Sequence, residues 1–159
     1  MAVPKKSWRE KLADSKDLPK TEVATGRMSQ RFGTGTFVIP APLEVDALMQ
    51  QIPRGRVATI NQLRTALAIH HGVNFACPLT TGIFSWIAAH AAAEAEAAGE
   101  RSITPYWRTL KNGGEINPKY PGGAEAVATR LRAEGHKITH KGKRLLVKDY
   151  EKTVYSELK

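Results

Sequence analysis

The sequence predicts a mainly α fold with small β content. Three observations carry this: two helical segments joined by a loop between Thr59 and Ala98, a further helix near residues 124–133, and a closing β-hairpin with a basic turn. At 159 residues the chain suits one domain with a real core and is short for two. We divide it into a basic N-terminal arm with a short strand (1–41), a helical domain (42–136), and a basic C-terminal hairpin and tail (137–159).

Residues 1–36 mix charges with Pro4, Pro19, Gly26, Gly33 and Gly35, which predicts an irregular arm with one short helix around Trp8–Leu12, anchored by Trp8. Thr36-Phe37-Val38-Ile39 reads as a strand stopped by Pro40-Ala41-Pro42. A helix fits Leu43 to Gln51, where Leu43, Val45, Ala47 and Leu48 fall on overlapping turns, and Pro53 ends it. After the turn Arg54-Gly55-Arg56 and a short extended piece, Thr59 caps a helix to about His70, with Gly72 as its left-handed stop. Beyond Cys77-Pro78, Thr80-Thr81 can cap a second helix reaching about Ala98, closed by Gly99.

Two helices joined in this way have the pattern of a helix-turn-helix, with Thr80, Thr81 and Ser85 facing DNA and Ile83, Phe84, Ile87 and Ala91 packed inward. The connection is longer than usual, and the spacing alone favours a plain helical hairpin. Ser102 to Gly123 is a Pro-, Gly- and Asn-rich loop, long enough to suggest function, that holds Tyr106, Trp107 and Tyr120. A helix over Ala124–Ala133 ends at Gly135. Residues 137–140 and 144–147 then form a hairpin whose turn, Lys141-Gly142-Lys143, can touch phosphates as a wing.

The formal net charge of +9 lies in the flanks: Lys and Arg exceed Asp and Glu by 8 to 4 in residues 1–40, 9 to 8 in 41–135 and 7 to 3 in 136–159. Such flanks suit a polyanion, because each cation near a phosphate releases condensed counterions; a soluble basic surface is the alternative. The single cysteine, Cys77, excludes an intrachain disulfide and a multi-cysteine metal cluster, and points to a reducing compartment. No apolar run resembles a signal sequence or a membrane anchor, so a cytoplasmic protein, nucleoid-associated if bacterial, is expected. His70 and His71 adjoin and do not share a helix face, so no metal and no cofactor is expected.

The segments IPRGRVATINQLRTALA, TTGIFSWIAAHAAAEA, TPYWRTLKNGGEINPKYPGG and RLRAEGH resemble, in that order, the C-terminal domain of the alkylguanine-DNA alkyltransferases over about residues 43–136. The resemblance implies a winged helix-turn-helix that binds double-stranded DNA. The family's Pro-Cys-His-Arg motif falls on Pro105-Tyr106-Trp107-Arg108, so Tyr106 holds the acceptor position and Trp107 that of the activating histidine, while Glu134 matches the family's glutamate. Alkyl transfer needs a thiolate, and a phenol with a pKa near 10 is a poor substitute. The chain is closest in chemistry to the alkyltransferase-like proteins, which lack that cysteine, bind alkylated bases and flag them for other repair proteins. Ile60 stands where the family has its base-turning tyrosine, and Leu79 or Thr80 where it has the arginine that fills the vacated stack; Leu79 can still act as a wedge.

These readings define an expected monomer that recognises a damaged, alkylated base in a flipped-base pocket of Tyr106, Trp107, Arg108 and Tyr120, with Arg54, Arg56, Lys141 and Lys143 near phosphates. The alternative is a DNA glycosylase using the same pocket, with Glu134 or Glu115 as the catalytic carboxylate. Other readings are alkyl acceptance by Cys77 and a plain architectural binder with no pocket.

Overall fold

The computed structural model describes residues 5–159; Pro4, assigned above to the basic arm, lies outside the described residues. Ser7 opens α1 (Trp8–Ala13) with a reciprocal cap, its Oγ accepting from Glu10 N at 3.1 Å and the Glu10 carboxylate accepting from Ser7 N at 3.4 Å. Trp8 then docks the arm on the long helix α5 (Pro78–Ala97), stacked on His90 at 4.5 Å and edge-on to Trp86 at 4.7 Å. The Glu94 carboxylate accepts from the amides of Trp8 and Arg9, each at 3.2 Å.

The stretch expected to be irregular is ordered. β1 (Lys20–Val23) pairs antiparallel with β2 (Thr36–Ile39), Lys20 opposite Ile39 and Val23 opposite Thr36, and α2 (Gly26–Phe32) fills the connection. Neither element carries a pattern to read. β1 is an edge strand with all four residues exposed, and α2 buries none of its residues.

α3 (Pro42–Gln50) follows and buries Val45, Leu48 and Met49. Two-residue β3 (Ala58–Thr59) runs into α4 (Ile60–His71), where Thr59 Oγ1 accepts from Gln62 N and Gln62 Oε1 accepts from Thr59 N at 2.8 Å. Gly72 ends α4 at φ 65°, a left-handed turn that favours glycine. β4 (Phe75–Ala76) joins β2 in parallel, and α5 starts at Pro78, a residue suited to the first helical turn, rather than at Thr80.

Beyond α5, β5 (Thr109–Leu110) pairs in parallel with β3, and α6 (Gly123–Ala133) leads to the hairpin β6 (Ile138–Lys141) and β7 (Arg144–Val147), in register from Ile138–Val147 to Lys141–Arg144. The tail returns to the core. Tyr155 N donates to Val57 O at 2.7 Å, and the Arg56 guanidinium donates to the carbonyls of Thr153 (3.0 Å) and Val154 (2.6 Å). Met49, Ile52, Leu63, Leu110, Ile116 and Leu131 are fully buried and unite the helices with the loop and β5. The result is a mainly helical chain with small sheets, a winged helix-turn-helix in which α4 and α5 are the helix pair and β6–β7 the wing. Among the described residues no helix is long and apolar enough to cross a membrane.

Candidate nucleic-acid interface

Where α4 and α5 begin, their first turns diverge around a cleft of about 270 Å³. Asn61 and Arg64 of α4 line one side, Gly82 and Ser85 of α5 another, and the loop after β5 supplies Asn117 and Tyr120. The volume is near the lower end for small-ligand sites, about 300 Å³. Arg64 spans the α4 wall, Nη1 donating to Asn61 Oδ1 and Nε to Ala76 O, each at 3.0 Å. Partial burial lowers its pKa, but a guanidinium keeps its charge.

Tyr120 is 3% exposed and meets Tyr106 edge-on, the rings 5.9 Å apart. Burial pushes its phenol up to about 12, against hydrogen bonds with Ser85 and Asn117. It stays a neutral donor at any ordinary pH. The cleft is thus bounded by an aromatic side chain, a serine and an asparagine, the first two almost wholly buried in its wall.

The other three residues expected in the pocket pack elsewhere. Tyr106 is 2% exposed and is directed to Arg130 of α6; burial raises its pKa, partly offset by the Arg130 charge. Trp107 Nε1 donates to Glu134 Oε2 at 2.9 Å while Arg130 lies over its ring at 4.7 Å. Arg108 grips both oxygens of Glu134 and donates from Nη1 to Ile52 O at 2.8 Å. The physical reason is Glu134 itself, whose side chain is 4% exposed. A carboxylate that enclosed requires cationic and N–H partners. Burial raises its pKa, but the bonds from Arg108, Trp107 and Gly55 and the Arg108 charge together hold it below the usual glutamate value. Glu115 does not face the cleft either. Its carboxylate pairs with Arg144 at 2.9 Å and Lys111 at 3.9 Å, fastening the loop to the wing.

The face of α5 also differs from the expectation. Thr81 (0% exposed) and Ser85 (1%) are buried, Thr81 Oγ1 donating to Cys77 O at 2.7 Å and Ser85 Oγ to Gly82 O at 2.8 Å, so neither faces a groove. Thr80 Oγ1 is enclosed without a partner among the described residues. Ile83, expected inside, is half exposed, as is Leu79 one turn earlier. The reason is close helix packing: α5 turns a stripe of small residues, Thr81, Ser85, Ala88, Ala92 and Ala95, toward the protein and leaves its bulky early residues outside. Hydrophobicity favoured Ile83 for the inside; size decided otherwise. Cys77 is buried at the cap position of α5.

Of the expected phosphate contacts, Lys141 and Lys143 stand exposed at the wing's turn, with no carboxylate in ion-pair range among the described residues. Arg54 and Arg56 are exposed too but already engaged, Arg54 with Ala133 O at 3.2 Å and Arg56 with the tail carbonyls. Arg64 and Asn61 were missed because isolated polar residues beside a helix start have no spacing signature.

The fold and the cleft define a winged helix-turn-helix protein with a small open cleft beside the second helix. The chain matches no protein-family model and no curated protein. Among solved structures it is similar to S. pombe ATL in complex with DNA, with a TM-score of 0.52 at 18% identity over 72% of this chain and 93% of that one. S. pombe Atl1 in complex with damaged DNA containing O6-carboxymethylguanine matches at 16% identity with a TM-score of 0.49 over the same shares. At this identity the first likeness shows the fold.

Proposed function

We propose that the protein binds double-stranded DNA and holds an alkylated base, turned out of the helix, in the cleft above Tyr120 without removing the alkyl group. The carrying observation is the cleft itself, open at the start of the second helix and walled by Tyr120, Ser85 and Asn117. Half-exposed Leu79 and Ile83, next in sequence to the lining residues Pro78 and Gly82, support the reading as wedges for a base stack, and exposed Lys141 and Lys143 as phosphate contacts. The fold is one that S. pombe ATL uses in a complex with DNA. Turning a base out costs a few kcal/mol, offset in part by stacking on an aromatic ring.

Transfer of the alkyl group is not part of the proposal, because the acceptor position holds the buried phenol Tyr106 and Cys77 is buried at another site. Base excision is not part of it either, since Glu134 is held in an ion pair away from the cleft and Glu115, which does not line it, is paired with Arg144 and Lys111. The test is fluorescence anisotropy with duplexes that differ only in O6-methylguanine or guanine. Tighter binding of the modified duplex, an unchanged protein mass and an intact strand after alkali are expected. Equal affinity for the two duplexes would remove damage recognition from the proposal.

A further inference from the structure

At the junction of α3 and α4, apart from the cleft, one ligand atom from each of Glu44, His70 and His71 lies within 4.8 Å of the others. Glu44 sits in the first turn of α3; its Oε2 accepts from Ala41 N at 2.8 Å while Oε1 lies 2.6 Å from His71 Nε2. His70 and His71 are the last two residues of α4, their rings edge-on at 5.0 Å. We propose that these three side chains form a binding site for a divalent transition-metal ion of the zinc class.

The donor set fits. Two imidazole nitrogens, which are borderline donors, and one harder carboxylate oxygen form a set that holds Zn²⁺, with a fourth position left to water. Neighbouring histidines are separated by about 100° around a helix and cannot share its face. They can converge on an ion beside the helix end if another element brings the third ligand, and α3 brings Glu44. Metal–ligand bonds of about 2.0–2.1 Å place tetrahedral donor atoms about 3.3 Å apart. The Glu44–His71 pair therefore opens slightly, and exposed His70 turns inward by side-chain rotation.

Two further features favour the site. The Ala41 amide fixes one Glu44 oxygen and so orients the other, as hydrogen bonds behind metal ligands commonly do. The C-terminal end of α4 carries partial negative charge that attracts a cation. A cavity of about 130 Å³ bordered by Glu44 and His70 leaves room for the water. The bound ion would staple the start of α3 to the end of α4, a structural role independent of DNA.

The experiment uses the untagged full chain, freed of metal, in competition with a chromophoric chelator for Zn²⁺. Two variants isolate the site: Glu44→Gln, which keeps an acceptor for Ala41 N, and His70→Ala, which removes an exposed ring. Thermal unfolding without metal confirms that both are folded. The expected result is one Zn²⁺ per chain and an affinity lower by about tenfold or more in each variant. No competition for Zn²⁺ by the wild type, or a smaller loss in either variant, overturns the proposal.

Discussion

Arg108 holds Glu134 by both carboxylate oxygens, Nε 2.9 Å from Oε1 and Nη2 2.8 Å from Oε2. With Trp107 Nε1 on Oε2 and Gly55 N on Oε1, the carboxylate's acceptor directions are filled. The carboxylate thereby clamps the loop before β5 to the end of α6.

Glu134→Gln leaves the Arg108 charge enclosed with no counter-charge. Breaking such a pair from one side costs about 3 kcal/mol or more. Urea unfolding should show that loss, and a loss below about 1 kcal/mol would mean that the clamp does not support the fold.

Beside the pair, His136 is 8% exposed and its Nε2 has no partner among the described residues. Burial lowers its pKa from 6.5, the nearby Glu134 opposing this and Arg108 reinforcing it. A histidine with a depressed folded pKa contributes stability that is complete above the unfolded value, about 6.5, and is lost as pH falls through the folded value. Glu134, also depressed, loses its contribution only as pH falls below about 4.5. The stability difference between wild type and His136→Gln should therefore shift against the wild type on acidification from pH 6.5 toward 4.5. Parallel urea midpoints across that interval would contradict the assignment.

Asp46 is displaced in the opposite direction. Burial raises its carboxyl above 3.8 despite bonds from Thr104 and Gln50, so ionisation at neutral pH opposes folding. Asp46→Asn keeps an acceptor for Thr104 and, with Gln50 turned over, a partner for its new amide. It should match or exceed wild-type stability at pH 7. A large loss would show that the charge itself is needed.

How far the sequence foretold this molecule depended on what kind of signal each element carries. Thr59, Gly72 and the hairpin residues act through local geometry, and their elements fall within a residue or two of the expected bounds. β1 and α2 were illegible because pairing, rather than any pattern of their own, orders them. The cleft was legible only in part. The resemblance directed attention to Tyr106 and Trp107, yet side-chain direction depends on the buried partners of Glu134 and on the small-residue face of α5, both set by tertiary packing. Glu44 and His71, 27 residues apart, had no shared motif at all.

The basic residues divide into structural and free cations, and salt separates them. Lys141 and Lys143 are exposed and have no ion-pair partner among the described residues, so replacing both with Ala should leave stability unchanged and lower the slope of log K against log salt by about 1.8, at about 0.9 per phosphate contact. Arg56→Ala, which frees two tail carbonyls, should instead cost about 1–2 kcal/mol of stability. An unchanged salt slope in the double lysine variant would take the wing off the DNA.

Tyr106 and Tyr120 supply the sharpest comparison, since the sequence offers both for the base pocket and only Tyr120 lines the cleft. Replacing either with Phe removes one hydroxyl and keeps the ring. Tyr120 lies beside Ser85 and Asn117 on the cleft wall, whereas the Tyr106 ring lies behind it, 5.6 Å from the Arg130 guanidinium. If a turned-out base rests above Tyr120, Tyr120→Phe loosens the cleft wall and should weaken binding of the O6-methylguanine duplex by about fivefold, near 1 kcal/mol, with plain duplex affinity unchanged. Tyr106→Phe should lower stability by a similar amount and leave the preference for the modified duplex intact. The reverse pattern in anisotropy, a preference lost with Tyr106→Phe and kept with Tyr120→Phe, would place the base against the acceptor position and show that the loop must rearrange to admit it.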